Sequence, residues 1–305
     1  MPLHPVVQAI MDRVRATGFN GYADLSVADA RAHYANTAKA FGPGPEIHEV
    51  RDVSIPVEGG VIAARLYRPV AEPAGLCVYF HGGGWTLGAL DGFDALMRTL
   101  AERSGAAMLS VDYRLAPEFP FPVPVDDAMA AVRFAAANRP ALGGAGGLAV
   151  GGDSAGGNLA TVAALALRGE VEIALQMLFY PAVDTDSTRP GFVKYGSDYM
   201  LKASDVAWFL NHYAPGIDPA EPRLAPLRTP DLAGAPPAWI GVAEYDVLTE
   251  EGLDYAAALQ AAGVPVTLRR YEGVMHGFAR QYGIVDVADG AIHDAAQALT
   301  ASLKP

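Results

Sequence analysis

The stretch Leu148–Asn158, LAVGGDSAGGN, reads as an apolar strand that enters a tight glycine turn and leaves it as a helix. At the tip sits Ser154, and Gly152-Asp153-Ser154-Ala155-Gly156 fits G-x-S-x-G, the nucleophile elbow. A serine on such a turn exposes its Oγ, and the flanking glycines are needed because a Cβ would clash where the chain folds back. The helix N-terminus just beyond offers free N–H groups and a partial positive charge to any oxyanion formed nearby. Serine is a poor nucleophile at pH 7, so the site also needs an adjacent base and a third group to orient that base.

For this turn the expected chain order is Ser, then Asp or Glu, then His. Of seven histidines, only His276 and His293 come late enough. His276 lies in Gly273-Val274-Met275-His276-Gly277-Phe278, a loop just past the last strand, whereas His293 falls inside the terminal helix. His276 is therefore the expected base. The acid should end the preceding strand, and Ala238–Ala243 runs into Glu244-Tyr245-Asp246. Asp246 is expected to hold the imidazole in the right tautomer and stabilise the imidazolium. Glu244 and Glu250 compete for that role, and Asp246 could instead cap the helix that follows. His81-Gly82-Gly83-Gly84-Trp85 follows an apolar strand and fits the HGGG-type loop of lipases and esterases. The expected oxyanion donors are the N–H groups of Gly82, Gly83 and Ala155, the last being the residue after the nucleophile.

These groups must converge at one edge of a framework, and the chain supplies one. Residues 47–69 read as a β-hairpin turning at Gly59-Gly60. From Leu76 onward, apolar strands at 76–80, 106–111, 147–151, 173–180, 238–243 and 264–270 alternate with helical stretches at 92–104, 124–138, 155–168, 250–262 and from 285. That alternation predicts right-handed βαβ units, hence an α/β fold with a mostly parallel sheet covered on both faces. Ligands then bind outside the carboxyl ends of the strands, where Ser154 and His276 fall.

Two segments break the rhythm. Val6, Val7, Ile10, Met11 and Val14 recur at helical spacing, and the helical region ends at the breaker Phe41-Gly42-Pro43-Gly44-Pro45. These residues form either a helical arm packed on the body or part of a lid. Between Pro181 and Pro236 no strand is predicted, but a helix is expected over Ser204–Tyr213, with Ser204 as N-cap and Val206, Phe209, Leu210 and Tyr213 on one face. Long excursions at strand carboxyl ends are often lids. The run Gly143–Gly147 nominally begins a G-x-G-x-x-A pattern, but it precedes a strand where a dinucleotide fingerprint must follow one. It reads as a flexible loop.

The chain has 305 residues, 51% of them hydrophobic, enough for a large two-sided core. A formal net charge of −12 argues against nucleic acid or an anionic membrane as partner. The single cysteine, Cys77, rules out an intrachain disulfide and reads as a buried, inert thiol. With no signal-peptide pattern and no long apolar run, the expected location is the cytoplasm.

Taken together, His81–Trp85 (HGGGW), Asp112–Glu118 (DYRLAPE), Gly152–Asn158 (GDSAGGN), Asp246–Gly252 (DVLTEEG) and His276–Phe278 (HGF) make the chain resemble the bacterial hormone-sensitive-lipase-like carboxylesterases, family IV of GDSAG type. The resemblance implies an α/β-hydrolase fold with a helical cap. It implies a triad of Ser154, Asp246 and His276, an oxyanion hole of Gly82, Gly83 and Ala155, and no metal or organic cofactor. It divides the chain into residues 1–45 as the first part of the cap, 46–182 as core, 183–222 as cap insertion and 223–305 as the rest of the core. Val247 departs from the family, which usually has proline after the acid; the change loosens that turn. Asp112 and Arg114–Glu118 read as a charged turn that braces the HGGG loop. A homodimer through the edge strand near Val264–Arg270 is also implied.

The leading expectation is a serine esterase acting on short- to medium-chain esters. Trp85, Phe192, Tyr195, Trp208 and Phe209, with Asp153 beside the nucleophile, are expected at the substrate. An amidase, arylformamidase or lactonase would use the same triad, and matched ester and amide substrates would separate these. A non-catalytic small-molecule binding protein on this fold is the remaining class, and the presence of His276 argues against it.

Overall fold

The computed structural model describes residues 2–304 apart from 39 and 41. Phe41, within the predicted breaker, therefore lies outside the described residues, as do Met1 and Lys39. The elements in order are α1 (Pro5–Ala16), α2 (Val27–Ala38), β1 (Glu49–Val57), β2 (Gly60–Arg68), β3 (Leu76–Phe80), α3 (Asp94–Ser104), β4 (Ala107–Asp112), α4 (Val123–Ala137), α5 (Arg139–Gly143), β5 (Leu148–Asp153) and α6 (Ala155–Ala166). There follow β6 (Leu175–Phe179), α7 (Pro190–Tyr195), α8 (Ala203–Tyr213), β7 (Ala238–Tyr245), α9 (Thr249–Ala261), β8 (Val266–Met275) and α10 (Asp286–Ser302).

The eight strands form one sheet in the order β1-β2-β4-β3-β5-β6-β7-β8. The predicted hairpin is antiparallel and β2 runs antiparallel to β4, while every pairing from β4 through β3 and β5 to β8 is parallel. Strands β3, β5 and β6 are buried along their whole length. This is why they read as continuous apolar runs without alternation. One face is sealed by α4, α6 and α9 through Val125, Leu159 and Leu259, the other by α3 and α10 through Leu96, Leu100 and Ile292.

Three local expectations are corrected. Strand β8 runs on from Val266 to Met275, well past position 270, so His276 directly follows it. Ser204 does not cap α8: it lies inside the helix, and Lys202 is the N-cap, its N–H accepted by the Asp205 carboxylate at 3.2 Å. The glycine run 143–147 is pinned rather than loose. Gly143 closes α5, Gly147 accepts the Leu76 N–H (3.0 Å), and Gly147 donates to Leu303 O (3.1 Å). At Gly146 a Cβ would collide with the carbonyl oxygens of Ala74 and Leu303, so this strand entry requires glycine.

Candidate active site

Strand β5 ends at Asp153 and α6 begins at Ala155, leaving Ser154 alone on the turn with φ +55°. Its N–H donates to Phe179 O of the neighbouring strand (3.0 Å), which fixes the elbow to the sheet. A Cβ on Gly152 would strike the carbonyl of Gly156, and one on Gly156 would strike Phe80 O. The flanking glycines are thus sterically required. A serine held at positive φ carries strain that the packed strand and helix must maintain.

Asp246 and His276 reach the serine from the next strands over. Tyr245 and Met275 are paired residues of β7 and β8, beyond a register shift at Ala243/Tyr245, so the following residue of each strand emerges at the same level. His276 Nδ1 lies 2.6 Å from Asp246 Oδ2, and His276 Nε2 lies 2.9 Å from Ser154 Oγ. Asp246 is buried, and its Oδ1 accepts the Leu248 N–H at 3.0 Å. One Asp246 oxygen thus faces the histidine and the other ties down the turn ahead of α9; the N-cap of that helix is Leu248, so Asp246 does not cap it. That turn carries the buried Val247. Glu244 is used elsewhere, accepting the Gly273 N–H at 2.8 Å. Tyr180, also at positive φ, sets its ring 4.8 Å from that of His276 and walls off one side of the imidazole.

The oxyanion donors need one correction. The Gly82 N–H donates to Asp153 Oδ1 (2.9 Å), so it is engaged before any substrate arrives. Gly83 and Gly84 line the cleft with Ala155, and their N–H groups donate to none of the described residues. Both glycines have positive φ, +128° and +58°, a conformation that favours glycine at each. Asp153 is fully enclosed and also accepts the Tyr79 hydroxyl at 2.9 Å. Burial pushes its carboxyl above the ordinary range, against the hydrogen bond from Tyr79 and the Arg280 charge, which pull it down. The loop is braced from behind by part of the expected turn, while Arg114 binds Asp127 of α4 instead. Tyr113 Oη donates to His81 O (2.8 Å), the Ala116 N–H donates to Trp85 O (2.9 Å), and Arg31 clamps Glu118 while donating to Ala116 O and Thr86 O.

Ser154, His276, Gly83, Gly84 and Ala155 open onto one cleft of about 520 Å³. Its outer walls are Val6, Ile10 and Val14 of α1, Tyr34 of α2, and Val206, Phe209 and Leu210 of α8. Phe209 and Trp85 lie at the cleft as expected, with Trp85 stacked on Tyr213 at 4.4 Å. Asp153 lines its floor.

Tyr195 and Trp208 do not reach the cleft. Tyr195 and Phe192 turn the other face of α7 into a separate cluster with Val247 and Leu248. Trp208 neighbours Phe209 in sequence, but successive helical residues diverge by about 100°, so the cleft-facing stripe 206, 209, 210 leaves it outside. Tyr22, Tyr34 and Arg280 line the cleft and were not singled out in the sequence. No motif marks them; only the apolar stripe of α1 hinted that the N-terminal arm borders the site.

Comparison with known proteins agrees with this fold. Residues 77–280 match a family described by the alpha/beta hydrolase fold. The chain is 40% identical to "Carboxylic ester hydrolase LipN" of Mycobacterium tuberculosis, covering 99% of this chain and 83% of that one. It is 36% identical to the "Ethyl acetate hydrolase" of Pseudomonas putida, covering 98% and 99%. A solved structure of a hyperthermophilic esterase from the archaeon Pyrobaculum calidifontis superposes with a TM-score of 0.94 at 39% identity, covering 99% of both chains.

Proposed function

The chain belongs to the alpha/beta hydrolase family, as a carboxylic ester hydrolase of the bacterial hormone-sensitive-lipase-like branch, and from this premise we propose how its own residues act. The observation that carries the reading is the continuous chain Asp246–His276–Ser154, at 2.6 and 2.9 Å, opening onto an apolar cleft. Ser154 Oγ attacks the ester carbonyl carbon while His276 Nε2 takes its proton, and Asp246 stabilises the imidazolium that results. The carbonyl oxygen becomes an oxyanion that accepts from the N–H groups of Ala155, Gly83 and Gly84. Collapse breaks the bond to the alkoxy oxygen, which leaves with the proton from His276, and Ser154 holds the acyl group. Water, deprotonated by the same imidazole, then attacks the acyl-enzyme and releases the acid.

The cap consists of residues 1–45 and 183–222, and a cleft of about 520 Å³ beneath it suits short- to medium-chain acyl groups. A series of 4-nitrophenyl esters tests this: kcat/KM should peak among the short to medium acyl chains, and a peak at long fatty acyl groups overturns it. β8 lies at the outer edge of the sheet and offers unpaired backbone to a second copy, so we propose a homodimer through it. A monomer mass in solution would refute that. The lone thiol of Cys77, buried in β3, fits a reducing compartment, and we propose the cytoplasm. No helix among the described residues is long and apolar enough to cross a membrane.

A further inference from the structure

A second cavity, of about 240 Å³, lies in the seam between α1 and the segment that leads from α7 into α8. Its lining is mixed: Met11, Phe19 and Tyr199 form an apolar side, and Arg15, Asn20, Asp198 and Lys202 a polar one. Among the described residues, only Val14 and Met200 line both this cavity and the active-site cleft. They stand on opposite sides of the seam, Val14 on α1 and Met200 on the facing segment, and both are half-buried. The two spaces thus adjoin at these two apolar residues.

We infer that the second cavity is an extension of the acyl site, and that Val14 and Met200 form the septum that sets the longest acyl chain the enzyme accepts. The inference rests on the esterase reading above and adds to it the residues that define the chain-length limit. The seam itself is riveted by polar contacts along the polar side of the second cavity. Arg15 Nη2 donates to Asp198 O (2.9 Å), and Lys202 Nζ donates to Asn20 O (2.9 Å) and Asn20 Oδ1 (2.7 Å). With the walls held in this way, shortening a septum side chain opens a passage instead of letting the walls close. A methionine is also the side chain best suited to swing aside, having an unbranched, flexible thioether stem.

The test is the 4-nitrophenyl ester series from acetyl to dodecanoyl on the wild-type enzyme, Met200→Ala and Val14→Ala, each checked by its melting temperature. Each further methylene buried is worth about fourfold in kcat/KM. The ratio of kcat/KM for the decanoyl over the butanoyl ester should therefore rise at least tenfold in either variant. Met200→Val, a milder truncation, should shift the ratio in the same direction if the alanine variant does not fold. Adding Ser197→Trp to Met200→Ala fills the second cavity from its far side and should return the ratio to near the wild-type value. An unchanged ratio in the folded single variants overturns the septum, and so does a gain that survives Ser197→Trp, since the chain would then lie elsewhere. Hydrolysis of short esters with an unmoved profile refutes this inference alone, whereas a wild-type enzyme that cleaves no ester in the series refutes the esterase reading with it.

Discussion

The carboxylate of Asp153, the residue before the nucleophile, accepts the N–H of Gly82, the first glycine of the HGGG loop, at 2.9 Å. The two halves of the proposed site, the elbow and the HGGG loop, are therefore joined by a buried hydrogen bond. Replacing Asp153 with alanine removes the anchor for Gly82 and the partner of Tyr79 together. The loop then loses the posture that aims the Gly83 and Gly84 N–H groups. The expected result is a fall in kcat on the order of 100-fold, comparable to losing one oxyanion donor, with a smaller change in KM. Steady-state kinetics on a folded variant check this; a loss confined to KM would mean that Asp153 serves substrate binding instead.

Ser154→Ala should leave the fold intact and lower turnover by roughly 10⁶-fold, as triad deletions do elsewhere. Asp246→Asn should cost about 10⁴-fold, because an amide opposite Nδ1 favours the wrong histidine tautomer. Circular dichroism and turnover of a short aryl ester are the measurements. Near-wild-type rates in folded Ser154→Ala would remove the serine from the mechanism.

Asp205 is fully buried and holds two separate segments of the cleft wall together. Its Oδ1 accepts the N–H groups of Tyr22 (2.7 Å) and Ala23 (3.0 Å), and its Oδ2 accepts that of Lys202 (3.2 Å). Gly21 must be glycine there, since a Cβ would come within 2.7 Å of the carboxylate. Asp205→Ala strands these donors and should cost about 2–4 kcal/mol of stability. Proteolysis should then cut first within residues 17–26, with KM raised more than kcat lowered. Cleavage that starts in the core would contradict this.

Glu251 is buried at the start of α9, where its Oε1 accepts the N–H groups of Val183 (2.7 Å) and Asp184 (3.2 Å). Burial drives its carboxyl well above the ordinary range of about 4.5, with the Asp184 carboxylate adding to the rise and Arg189 opposing it. A carboxyl whose pKa rises on folding contributes stability that is present below about pH 4.5 and lost as pH climbs through the folded value. Glu251→Gln keeps the acceptor and has no charge to bury. Its melting temperature relative to wild type should therefore be higher at pH 8 than at pH 5, by about 2–4 °C for each kcal/mol. An equal difference at both pH values would show that Glu251 does not titrate in this range.

The meeting of Ser154, Asp246 and His276 was legible because each is announced locally: glycines around Ser154, a strand end before Asp246, and a loop after a strand for His276. The sheet was legible for a related reason, since strands buried on both faces leave unbroken apolar runs. What escaped depends on contacts far apart in the chain. Within three consecutive glycines, the choice of which amides face the cleft is made by Asp153, some seventy residues on. The apolar stripe of α8 was read correctly, yet the docking of α8 and α7 decides that Phe209 meets the substrate space while Trp208 and Tyr195 do not. Ser204 has the composition of a cap, but Asp205 reaches both its own helix start and the N-terminal arm, and that double reach sets where α8 begins.

The arm that walls the cleft also carries a consequence for how the protein is made. The His4 N–H at the head of α1 donates to Gly273 O of β8 (2.9 Å), so this stretch docks on a strand that leaves the ribosome about 270 residues after it. Val6, Ile10 and Val14 cannot take their places until β8 has been synthesised, and a contact of such long sequence separation is slow to form. The nascent chain therefore carries this apolar stripe without its partner until β8 has emerged, and the substrate-sized cleft closes over Ser154 only when two segments about 270 residues apart meet.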